Sequence, residues 1–78
     1  MSKADKMFEK LDYKKEYVKW EEDNAIHYIS YSTNDTVIEF LLDSKYIDIT
    51  NIININELKA INEKCKELGW FDEWRRIR

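Results

Sequence analysis

The stretch Asn54 to Gly69, NINELKAINEKCKELG, constrains this chain more than any other, because both ends and the buried face of one helix can be read from it. Asn54 and Glu57 stand three apart, in the N-cap and N3 places, so the Asn side chain can accept from a first-turn N–H while the Glu reaches back. That is a capping box with Asn as the cap, and Ile53 with Leu58 supplies a staple across it. Leu58, Ile61, Cys65 and Leu68 then recur at helical spacing with Ala60 beside them, while Lys59, Asn62, Glu63, Lys66 and Glu67 form the opposite face. Gly69 tolerates a positive φ and so can end the helix, with Lys64 and Lys66 near the negative end of its dipole. The spacing predicts a helix over 54–69. Its apolar stripe has to be covered, and the chain upstream reads as a small sheet built to cover it.

Ser2 to Leu11 predicts a first helix, with Ser2 as N-cap, Asp5 at N3, and Ala4, Met7, Phe8 and Leu11 on one face. Four strands then fill 14–50: Lys14–Glu21, Ala25–Tyr31, Thr36–Leu42 and Lys45–Thr50. The polar runs EEDN at 21–24, STND around Asn34-Asp35, and Asp43-Ser44 separate them. Connections this short join antiparallel neighbours, since parallel ones need a long crossover. In the fourth strand Ile47 and Ile49 alternate with Tyr46, Asp48 and Thr50. In the third, Ile38, Phe40 and Leu42 share the core side and Glu39 points out. Val18 and Trp20 lie on one side of the first strand, Tyr17 and Lys19 on the other. The second strand is apolar on both sides, with Ile26 and Tyr28 opposing Ala25, His27, Ile29 and Tyr31. Turning Ile29 and Tyr31 inward leaves His27 at the edge of the core, as the obvious pH-sensitive group.

The expected architecture is α+β: an N-terminal helix, a four-stranded antiparallel meander, and a C-terminal helix packed on one sheet face, in a single domain over 1–78. Its core would be Phe8, Leu11, Val18, Ile29, Ile38, Phe40, Ile47, Ile49, Leu58, Ile61, Cys65 and Leu68. A single core in 78 residues stabilises a chain by only about 3–5 kcal/mol, and there is no cysteine pair to add to it. Association into a homo-oligomer would supply more.

Cys65 falls on the buried stripe, where a free thiol acts as a small hydrophobe. No apolar run approaches the about 18 residues a membrane span needs, and the charged N-terminus, MSKADKMFEK, does not resemble a signal peptide. A reducing cytoplasm is the expected compartment. Residues 21–57 carry eight acids against one lysine, whereas the last four residues include three arginines. This balance disfavours a broad nucleic-acid surface.

A single glycine excludes phosphate-cradling loops, and one His with one Cys makes neither a metal-ligand cluster nor a convincing nucleophile–base pair. No cofactor and no enzymatic activity are expected. The segment after Gly69, WFDEWRRIR, spaces Trp70, Trp74 and Ile77 as a helical turn that could cap the core. Alternatively Trp70, Phe71, Trp74, Arg75 and Arg76 form an aromatic and arginine surface for a protein partner. The same chemistry would let this tail bind single-stranded nucleic acid. A second protein-binding surface is the acidic sheet face around Glu39 and Asp48, which suits a basic partner.

ADKMFEKLDYKK at 4–15 and ELKAINEKCKELGW at 57–70 resemble the opening and closing segments of small proteins encoded in phages and prophages of Gram-positive bacteria. That resemblance implies a phage-derived accessory protein, without an assigned activity, acting in a bacterial cytoplasm. It transfers no functional residue.

Overall fold

A computed structural model describes residues 2–71. Among them the elements run α1 (Lys3–Lys10), β1 (Lys14–Lys19), β2 (Ile26–Ser32), β3 (Val37–Leu41), β4 (Tyr46–Ile49) and α2 (Ile55–Glu67). The fold is α+β, and its sheet is an antiparallel meander in the order β1-β2-β3-β4. The chain forms two compact units, one from its two ends, up to Leu11 and from Ile53 on, and the other from Asp12–Ile52.

In the helical unit both helices start as their sequences dictate. Ser2 Oγ accepts from Asp5 N at 3.0 Å, opening α1. Asn54 Oδ1 accepts from Glu57 N at 3.0 Å while Glu57 Oε1 accepts from Asn54 N at 2.8 Å, so the capping box on α2 is complete. Gly69, with φ 73°, closes α2. Its N–H donates to Lys66 O, and that of Trp70 to Cys65 O, which is the paired bonding of a Schellman motif.

The two helices are in contact, and their buried positions are Ala4 and Phe8 on α1 and Ala60, Ile61, Lys64 and Cys65 on α2. This stripe corrects the expected one. Leu58 is 41% exposed, because at 100° per residue it lies about 90° from the middle of the positions that are covered. Leu11 and Leu68 are half-buried.

Lys64 takes an inward place among these apolar neighbours and is held there by charge. Its Nζ lies 3.6 Å from both Asp5 Oδ1 and Glu67 Oε1. Glu67 Oε2 also accepts from Ala4 N at 2.9 Å, so a carboxylate of α2 satisfies a donor in the first turn of α1, where the helix dipole favours it. Met7, Lys10, Leu11, Asn56 and Lys59 border a shallow cleft of about 180 Å³ between the two helices.

In the sheet unit the register sorts the side chains. Tyr17, Ile29, Phe40 and Ile47 stand in one row across the strands, and Lys15, Tyr31, Ile38 and Ile49 in the next. Ile38 and Phe40 are buried, as alternation in β3 leads one to expect, and Ile29 and Tyr31 are the buried pair of β2, which its sequence left open, while Ile47 and Ile49 on the edge strand are half-buried. Tyr31 and Phe40 meet edge to face at 5.7 Å.

Val18 is a correction. It pairs with Tyr28 and therefore lies on the outer face, whereas Tyr17 shares the row of Ile29. As β1 is an edge strand, its inward positions are only marginally covered, and Tyr17 stays exposed with the Lys15 ammonium 4.5 Å from its ring centre. Thr33 braces the β2–β3 turn: its Oγ1 accepts from Thr36 N at 3.0 Å and Asp35 N at 3.3 Å. Lys45 closes the β3–β4 turn at φ 61°, with its N–H on Leu41 O at 2.8 Å.

Candidate functional site

The β1–β2 ladder breaks where the chemistry gathers. Val18 pairs with Tyr28, but the next pair is Lys19 with Ile26, so His27 is passed over in a β-bulge. Bulges re-aim a side chain by interrupting the two-residue alternation. The main chain of His27 remains tied on its other side, where its carbonyl accepts from Leu42 N at 2.9 Å.

The imidazole bridges two carboxylates from different connections. Nε2 is 2.9 Å from Asp23 Oδ1, in the turn before β2, and Nδ1 is 3.1 Å from Asp43 Oδ2, in the turn after β3. Asp23 is itself fixed, since the same oxygen accepts from Ala25 N at 3.0 Å. The Trp20 ring lies 5.1 Å from the imidazole at 35°, and it meets Tyr28 edge-on at 6.2 Å. Trp20, His27, Tyr28, Leu41, Asp43 and Ser44 together line an open, mostly apolar cleft of about 310 Å³.

Two acceptors on one ring favour its charged form. A neutral imidazole has one N–H and one lone pair, so it can donate to only one of the two carboxylates; the imidazolium donates to both. Accordingly the hydrogen bond to Asp43, then that to Asp23, raise the His27 pKa above its ordinary value, against the opposing loss of hydration. Asp23 is lowered, chiefly by the His27 hydrogen bond and then by the Ala25 N–H.

The sign of the pH dependence follows. A raised histidine contributes stability that is fully present below its unfolded pKa of about 6.5 and is lost as pH rises through the folded value. The lowered Asp23 contributes above the ordinary carboxylate range and loses its effect as pH falls through its own depressed value. The urea midpoint is therefore expected to be higher at about pH 6 than at about pH 8.5. In His27→Gln that difference should disappear; an undiminished step would assign it to another group.

No family model, curated protein or solved structure matches the chain. The cleft and the outer sheet face carry its candidate chemistry. On that face Glu39 stands directly opposite Asp48, and Leu41 directly opposite the well-exposed Tyr46. Both acids proposed from sequence are thus brought side by side. Each ring nitrogen of His27 faces a carboxylate of the bridge. Among the described residues no group of three or more His, Cys, Asp or Glu could hold a metal ion. Cys65 is buried, and burial pushes its thiol pKa up.

The aromatic segment after α2 is described only at its start. Trp70 is half-buried and Phe71 exposed in the turn beyond Gly69. Trp74, Arg75 and Arg76 lie outside the described residues. The Asp23–His27–Asp43 bridge was not foreseen in sequence. Its one local signal is the spacing of four between Asp23 and His27; the second carboxylate arrives sixteen residues later, through the meander.

Proposed function

We propose that the chain is a non-catalytic protein-binding module that takes a basic partner on the outer face of its sheet. The observation that carries this reading is the cross-strand pair Glu39 and Asp48. Like charges directly opposite one another destabilise an antiparallel pair, and neither carboxylate has an ion-pair partner among the described residues. A cationic surface laid across them would relieve that repulsion. Exposed Trp20 and Tyr46 supply the aromatic contacts that protein interfaces favour, and the surrounding segment is strongly acidic. The same acidity opposes nucleic acid as the partner.

The resemblance to phage and prophage proteins supports an accessory role on a host or phage protein in a bacterial cytoplasm. No helix among the described residues is long and apolar enough to cross a membrane.

The test is calorimetric titration with a lysine- and arginine-rich peptide at low and moderate salt. The native chain should bind with salt-sensitive affinity. The Glu39→Lys/Asp48→Lys variant, checked for folding by circular dichroism, should bind at least about tenfold more weakly. Phe71→Ser should leave affinity unchanged. If Phe71→Ser abolishes binding while the double reversal does not, the partner sits on the C-terminal aromatic segment and the sheet-face reading fails.

A further inference from the structure

We infer that the cleft lined by Trp20, His27, Tyr28, Leu41 and Asp43 receives one arginine side chain of the basic partner, in exchange for the proton that His27 holds between its two carboxylates. This rests on the sheet-face reading and names the contact at one end of that face.

The two carboxylates are not equivalent. Asp23 keeps the Ala25 N–H whatever His27 does, whereas Asp43 is 81% exposed at its side chain and among the described residues is held by the imidazole alone. When the ring loses a proton, its remaining N–H goes to the fixed acceptor, Asp23. The lone pair on Nδ1 then faces Asp43 Oδ2, and lone pair against lone pair repels. Asp43, released from the ring and bordering the cleft, is then open to a charged donor in place of water.

The other walls specify that donor. Trp20 is 53% exposed and offers an indole face, while Tyr28 and Leu41 offer apolar surface suited to methylenes. A guanidinium stacks flat on an indole and presents a two-pronged donor to a carboxylate; an ammonium does neither as well. The charged groups facing His27 are Asp23 from the β1–β2 connection and Asp43 from the β3–β4 turn, with Trp20 and Tyr28 facing it as rings. Neither carboxylate pairs with a lysine among the described residues. Arginine and proton thus compete for Asp43, and the displaced proton passes to solvent.

The experiment is an NMR titration of the full chain with a blocked Gly-Arg-Gly peptide, set against the same peptide carrying citrulline, the uncharged isostere. Saturable shifts are expected at the Trp20 indole and the His27 ring. The dissociation constant should fall with rising pH, by up to tenfold per unit on the acid side of the His27 titration, the limit for one exchanged proton. His27→Gln should make binding independent of pH, and Asp43→Asn should weaken it at least tenfold. Equal binding of the citrulline peptide, affinity of the native chain that ignores pH, or no saturable shift overturns the inference. Shifts confined to Glu39 and Asp48 also overturn it while leaving the basic-partner reading intact. If the longer basic peptide fails to bind as well, both fall together.

Discussion

Lys64→Ala is expected to lower the unfolding free energy by about 3 kcal/mol, most of what one core in a chain this small supplies. The Lys64 side chain is 8% exposed, and its partners Asp5 and Glu67 are themselves largely covered, so water screens this trio poorly. Removing the cation takes the positive charge from beside two carboxylates, one of which still accepts from Ala4 N. Loss of the aliphatic stem adds a packing defect, so Lys64→Met, which keeps the stem, separates the two effects. It should retain the smaller, packing part and lose the charge part. Removing Asp5 together with Lys64 should recover some stability, because a missing pair costs less than an orphaned charge. Urea unfolding followed by circular dichroism reads all three variants. A loss below about 1 kcal/mol in Lys64→Ala would mean that the trio behaves as a surface pair.

Phe40→Ala is expected to cost about 4 kcal/mol and to leave the chain largely unfolded at room temperature. Phe40 is fully buried in the third strand, edge-on to fully buried Tyr31, with Ile29 and Ile47 directly across on the two neighbouring strands. Truncation leaves a cavity that the surrounding side chains fill only in part. Val18→Ala is the informative control: on the outer face of the edge strand it should cost under about 1 kcal/mol. Comparable losses for the two would return Val18 to the core and overturn the register.

Local chemistry made much of this fold legible. Asn54, Glu57 and Gly69 each act within four residues of themselves, so the limits of α2 follow from sequence with little ambiguity. Alternation likewise settles β3, whereas β2 is apolar on both sides and its buried face is fixed only by pairing with its two neighbours. It fails on β1, whose inward side is decided by pairing with β2 and not by its own apolar residues. It fails again at Lys64, where hydrophobicity ranks the residue outward and a carboxylate one turn away together with a distant one on α1 holds it in. The His27 bridge lies beyond either kind of reading. It needs a bulge to aim the ring and a meander to deliver Asp43, and both are properties of the paired sheet.

The covered thiol of Cys65 has a practical corollary. It is the chain's one cysteine, it lies on the inner side of α2, and its thiolate form is suppressed by burial. A thiol reagent can reach it only when the cover over this face of α2 opens, so the labelling rate is a clock for that opening. The Asp12–Ile52 sheet carries no such group and stays silent to the same reagent. One unmodified protein thereby reports how often that face is uncovered, without any engineered probe.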